Sequence, residues 1–204
     1  MNVLFVHGMG RSPLSGWPML RELTKAGFKT NSFGYFVSMN SFDDIKISLQ
    51  QKITELSKQG DYVLIGHSLG GVLIRAALNS MPIEIKQPKQ LFLLGSPINP
   101  SRLAIKLSSN FIFKGLTRDC GKLLGSAQRM NTISKVATPT TSIVGTKPMF
   151  ITKCYFKSEI NDGVVSYSEV KAEWFKDEIH LPIIHGALPA SRDVARIIIR
   201  HIKL

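Results

Sequence analysis

Ser68 lies in Gly66-His67-Ser68-Leu69-Gly70, a Gly-x-Ser-x-Gly pentapeptide. A serine hydroxyl is a weak nucleophile at neutral pH. It needs a base beside it and donors for the oxyanion it creates. The pentapeptide provides that setting when a strand precedes it and a helix follows. Here Asp61 to Ile65 is a short, apolar, β-branched run that reads as a buried strand. Leu69 to Ser80 reads as a helix, stopped by Pro82. The sharp turn between them would strain the serine backbone and lift its hydroxyl clear of the sheet. The flanking glycines are needed because a Cβ there would strike the neighbouring strand or helix. The free N–H groups at the helix start point to oxyanion stabilisation, and so to acyl transfer through a covalent intermediate.

That chemistry also needs a histidine base and an acid to orient it, and after a strand-turn-helix serine the acid and then the histidine are expected further along the chain. Asp162 is the first candidate acid, because Asn161-Asp162-Gly163 follows a strand and Gly163 frees the turn. Glu159, Asp177 and Glu178 compete for the role. His185, followed by Gly186 and a helix, is the first candidate base. His180 reads as a structural histidine within a strand, and His201 lies near the end of the last helix. His7-Gly8-Met9-Gly10 follows the first strand, and Gly8 lets the backbone turn there so that the next N–H can face a substrate oxygen. The Met9 and Leu69 N–H groups are the expected donors, and His7 is expected to shape the loop.

The elements that must position these residues alternate. Strands are expected at Val3 to Val6, Phe28 to Tyr35, Asp61 to Ile65, Lys89 to Leu94, Pro139 to Val144 and Glu178 to Ile184. Helices are expected at Trp17 to Ala26, from Ser41 or Asp43 to about Lys58, from Leu69 to Ser80, and from Leu188 to about Lys203 with Pro189 or Ser191 as its alternative start. Met149 to Phe156 reads as a strand extension or an ordered loop. Strands alternating with helices mean a parallel sheet with right-handed crossovers. Asn99 to Lys135 breaks the rhythm: it is apolar and carries seven cations against Asp119 alone. It reads as a cap or lid over the substrate pocket, or as one crossover helix with a solvated basic face.

At 204 residues the chain is expected to form a single domain, 1–204, with a full core. Its apolar runs are too short to span a bilayer, and no basic n-region and h-region of a signal peptide is visible, so a cytoplasmic setting is expected. Cys120 and Cys154 form no disulfide framework, and no His/Cys cluster has metal-ligand spacing. The net charge of +12 favours anionic partners. An anionic membrane surface meeting the basic insert fits that charge; a specific nucleic-acid partner does not, because no reading helix or RNA motif accompanies it.

Together, Leu4 to Gly10, Gly66 to Gly71, Leu93 to Pro97, Asn161 to Ser166 and Leu181 to Leu188 resemble the α/β-hydrolase superfamily. Within it, the chain is similar to small bacterial lipase- and esterase-like hydrolases, including the group related to the GPI inositol-deacylase domain. The resemblance implies a minimal α/β-hydrolase fold of about six mainly parallel strands flanked by helices, without the two antiparallel strands that open larger members. It implies Ser68 as nucleophile, Asp162 as orienting acid, His185 as base, and an oxyanion hole from Met9 and Leu69. It implies hydrolysis of carboxylic esters of apolar acyl chains or lipids, without a cofactor. A thioesterase or acyltransferase would use the same residues, and a binding module on a hydrolase scaffold is the reading from another class. The insert at 99–135 matches no motif of that superfamily.

Overall fold

The computed structural model describes residues 1–203. Six strands form one sheet: β1 (Asn2–Val6), β2 (Lys29–Phe33), β3 (Tyr62–His67), β4 (Gln90–Leu94), β5 (Thr140–Gly145) and β6 (Asp177–Leu181). Their order is β2-β1-β3-β4-β5-β6, and all five pairings are parallel. The principal helices are α1 (Trp17–Lys25), α2 (Phe42–Ser57) and α3 (Leu69–Asn79). After β4 come α4 (Arg102–Leu107), α5 (Phe111–Leu124) and α6 (Ala127–Asn131). The short α7 (Lys153–Phe156) and α8 (Tyr167–Val170) separate β5 from β6, and α9 (Arg192–Lys203) ends the chain.

The central strands are apolar on both faces because both faces are covered. Leu4, Val6, Leu64, Leu91 and Leu93 pack into one core with α2 and α3. Their neighbours Val3, Phe5, Val63, Ile65, Phe92 and Leu94 pack into another with α1 and α9. Strand alternation thus feeds two cores from one sheet. Ser41 caps α2 in a reciprocal capping box with Asp44, which fixes where that helix begins.

Three local expectations are corrected. The turn Phe150–Thr152 and α7 are helical, not a strand extension. The last strand stops at Leu181 and His185 opens a separate 3-10 turn, while the terminal helix begins at Arg192, beside the alternative start at Ser191. The alternating Leu103, Ile105 and Leu107 lie on a helix capped by the Ser101 hydroxyl, which accepts from the Ala104 N–H. The insert is therefore three helices rather than one crossover helix. Neither cysteine is paired: Cys120 is buried and Cys154 exposed.

Candidate active site

The order of the sheet reverses at β1, which pairs β2 on one side and β3 on the other. Ligands of open parallel sheets bind outside the carboxyl ends of the strands at such a switch point. Met9 follows β1 and Ser68 follows β3, so both expected donors and the expected nucleophile converge there.

Ser68 has φ 52° and ψ −123°, a left-handed-side conformation that costs an L-residue strain. It is half-buried. Three glycines permit the turn. A Cβ on Gly66 would lie 2.5 Å from the Gly71 nitrogen, and one on Gly70 would meet the carbonyl oxygens of Val6 and His7, the latter at 2.6 Å. A Cβ on Gly71 would run into Ser96. The Gly70 contact presses the start of α3 against the end of β1. The Ser68 N–H donates to the Leu94 carbonyl at 3.0 Å, and Ser96 Oγ donates to the Ser68 carbonyl at 2.8 Å. Those two bonds lock the turn to β4 and the residues after it.

The Met9 N–H has no acceptor among the described residues. Leu69 is the first residue of α3, where the helix offers its own N–H no acceptor. Met9 lines the same slot as Ser68, and Leu69 is the residue directly after Ser68.

Asp162 is 1% exposed. Its Oδ1 accepts from the Val164 N–H at 3.0 Å and the Val165 N–H at 2.9 Å. Its Oδ2 lies 2.7 Å from His185 Nδ1, and the His185 N–H donates to the Asp162 carbonyl at 2.9 Å. A carboxylate only accepts, so Nδ1 carries the ring proton and Nε2 keeps its lone pair, the tautomer a general base requires. Gly95, at φ 52°, passes beneath this pair: a Cβ there would lie 3.0 Å from both Asp162 Oδ2 and His185 Nδ1. The competing acids are engaged elsewhere. Glu178 bonds His180 at 2.8 Å, Glu159 holds Arg102 at 2.6 Å, and Asp177 faces His201 at 3.8 Å.

The fold thus brings Ser68 and Met9 to one slot and joins Asp162 to His185. The Ser68 hydroxyl makes no hydrogen bond to the described residues. The imidazole is placed beside the turn by His67, the residue before Ser68, whose ring centroid lies 4.8 Å from that of His185. His67 is fully buried, and burial, with His185 second, pushes its pKa well below the ordinary histidine value. Its Nε2 lies 3.1 Å from the His185 carbonyl, an acceptor, so Nε2 carries the proton and donates. His7 shapes the loop: Tyr35 N–H donates to its Nε2 at 3.4 Å, Tyr35 Oη–H donates to its carbonyl at 2.7 Å, and the two rings stack at 4.2 Å. Burial lowers its pKa too.

Sequence reasoning missed His67, Ser96 and Glu169. Glu169 is buried and accepts from Ser166 and from the Arg102 N–H, tying the root of the insert to the loop that carries Asp162. The one available signal was a histidine closing an otherwise apolar strand.

The slot at Ser68 is about 60 Å³ and apolar, walled by Met9, Leu103, Leu107, Phe113 and Val165. Two wider clefts, about 430 Å³ at Tyr167 and about 320 Å³ at Asn79, lie away from Ser68. Among the described residues no group of three or more His, Cys, Asp or Glu side chains is placed to hold a metal ion.

No protein-family model matches the chain, and no curated protein matches it by sequence. Solved structures do match its fold. RedJ, a thioesterase from the prodiginine pathway of Streptomyces coelicolor, superposes with a TM-score of 0.64 at 13% identity, covering 99% of this chain and 88% of RedJ. A metagenomic carboxyl esterase gives 0.71 at 14%, covering 92% of this chain and 65% of the esterase. A Paleococcus ferrophilus monoacylglycerol lipase gives 0.61 at 17%, covering 98% and 91%. The six-stranded parallel sheet flanked by helices is a minimal α/β-hydrolase fold.

Proposed function

We propose that this α/β-hydrolase-fold chain is a serine hydrolase that cleaves carboxylic esters of apolar acyl groups. The observation that carries the reading is the Asp162–His185 pair at 2.7 Å set beside the strained Ser68 turn. In this reading His185 Nε2 takes the Ser68 proton as Oγ attacks the ester carbonyl. Asp162 holds the tautomer and stabilises the imidazolium. The N–H groups of Met9 and Leu69 receive the oxyanion, each worth ~3 kcal/mol. His185 then returns its proton to the leaving alcohol, and water hydrolyses the acyl-enzyme by the same steps in reverse order. The apolar walls of the slot suit the acyl group and not a charged one. The esterase, lipase and thioesterase among the structural neighbours support the reaction class. A thioester would meet the same residues.

The test is hydrolysis of p-nitrophenyl esters from short to long acyl chains, with a thioester alongside, by the parent protein and by Ser68→Ala and Asp162→Asn. The parent should turn over and label at Ser68 with a fluorophosphonate. Ser68→Ala should lose both. Asp162→Asn should drop kcat by about 10⁴, the cost of the wrong tautomer. Turnover that survives in Ser68→Ala would overturn the assignment.

A further inference from the structure

Strands of a parallel sheet deliver all their following loops to one edge. Here that edge carries Ser68 and most of the exposed apolar surface. Phe36 and Met39 follow β2, Phe111 and Leu116 lie on α5 after β4, and Phe150 and Ile151 follow β5. Phe150 is 93% exposed, Phe111 81%, Ile151 79% and Met39 77%. Among the described large apolar side chains that are exposed, only Met1, Ile47 and Ile83 lie away from this edge. Isolated exposed apolar residues are ordinary, whereas a gathering of them marks an interaction surface.

The points belong to one surface. Phe36, Leu116 and Arg11 line a common cleft of about 290 Å³ with His7, on the flank of the Ser68 loop. The Phe150–Thr152 turn is rooted on the Asp162 loop, where Thr152 Oγ1 donates to the Gly163 carbonyl at 2.7 Å. Arg118, at φ 43°, breaks α5 in two. The second piece buries Cys120, Leu123 and Leu124, while the first leaves Phe111, Ile112 and Leu116 in solvent.

The charge of the edge selects the occupant. Arg102 and Arg129 of the insert are engaged by Glu159 and Asp119, each at 2.6 Å. Lys106, Lys114, Arg118, Lys122, Lys147 and Lys157 are exposed and join no ion pair among the described residues. Between Thr146 and Ser158 there is no acidic residue. Apolar tips interleaved with free cations match a bilayer with anionic headgroups: the tips enter the headgroup and acyl boundary and the cations meet the phosphates. A second copy of this chain would bring the same cations against one another. No described helix is long and apolar enough to cross a membrane, so the contact is at the surface.

We propose that the carboxyl edge of the sheet is a docking face for an anionic phospholipid bilayer, anchored by Phe111 and Phe150 and held by the unpaired lysines of the insert. Docking in this way sets the mouth of the Ser68 slot against the lipid surface. It rests on the hydrolase reading only for that last consequence.

The experiment is sedimentation of the full chain with vesicles of phosphatidylcholine alone or with about one quarter phosphatidylglycerol. The protein should bind the mixed vesicles at least about tenfold more tightly than the neutral ones, and about 0.5 M salt should weaken that binding. Phe111→Ser with Phe150→Ser, and separately Lys114→Glu with Lys122→Glu, should each cost about tenfold or more. All variants should keep the parent's turnover of a soluble short-chain ester, because none of these residues lines the Ser68 slot. Equal binding to both vesicles, no binding, binding indifferent to the phenylalanines, or a concentration-dependent dimer that excludes vesicles would overturn the proposal. Ester turnover without vesicle binding removes the docking face and leaves the hydrolase reading standing. Vesicle binding without turnover does the reverse.

Discussion

His67 Nε2 lies 3.1 Å from the carbonyl oxygen of His185, and both residues are buried. The residue before the candidate nucleophile thus holds the backbone of the candidate base. With Asp162 fixing the same residue through Nδ1 and the main-chain N–H, His185 is restrained from three directions. His67→Ala should remove that hydrogen bond from the core, worth about 0.5–1.5 kcal/mol. Because His67 touches no substrate in this arrangement, the loss should fall on kcat with KM for a small ester unchanged, and His67→Gln should recover part of it. Steady-state kinetics on the three proteins checks this. Equal change in both parameters would mean His67 only packs.

The Ser68 backbone predicts a trade of stability against activity. Ser68→Gly removes the Cβ that makes φ 52° costly, so it should stabilise the fold by about 1 kcal/mol, a rise in Tm of roughly 2–4 °C. Ser68→Ala keeps the Cβ and should show no such gain. Both should be inactive. Calorimetry on the pair separates strain from the loss of the hydroxyl.

Gly70 lets α3 touch β1, and the cost of a methyl there should appear in catalysis as well as stability. Gly70→Ala drives the helix start away from the Val6 and His7 carbonyls and separates the Met9 and Leu69 N–H groups. Loss of one such donor is worth about a hundredfold in kcat or more. A variant that melts lower yet keeps full kcat would show that the two N–H groups do not act together.

Burial holds His7 and His67 below the ordinary histidine pKa, His67 the more strongly. Both are neutral in the folded chain and take up protons on unfolding below about pH 6.5. The unfolded state then binds more protons, so stability is full above that pH and falls as the pH drops. Each histidine contributes about 1.4 kcal/mol per pH unit until its folded pKa is reached. Tm should fall from about pH 6.5 down to pH 5, and His67→Gln should flatten the slope. A Tm that holds steady across that range would contradict the buried neutral pair.

The two thiols should differ in reactivity. Burial pushes the Cys120 pKa up to about 12, while Cys154 is exposed. An aromatic disulfide reagent should titrate one thiol in the native protein and both after denaturation. Two equivalents in the native state would mean that the insert opens readily enough to expose Cys120.

The sequence by itself determined the layers and the turn. Val3-Leu4-Phe5-Val6 and Tyr62-Val63-Leu64-Ile65 are apolar at every position, which only a sheet covered on both faces can satisfy. The glycines around Ser68 could be read as a close approach of strand and helix, because no other residue fits the distances found. The order of Ser68, Asp162 and His185 pointed to one acid and one base, yet Glu159, Asp177 and Glu178 stayed open on sequence alone. Only the tertiary structure shows which of these acids pairs with His185, since that is set by contacts distant in the chain. The same holds for His67, whose partner is a main-chain carbonyl 118 residues away. It holds also for the insert, where Arg102 and Arg129 look like their free neighbours until folding brings Glu159 and Asp119 to them. Local pattern decides elements, because periodicity and turn chemistry act over a few residues. Ion pairs, tautomers and the gathering of exposed phenylalanines on one edge are decided by packing, which the chain reaches only when the sheet closes.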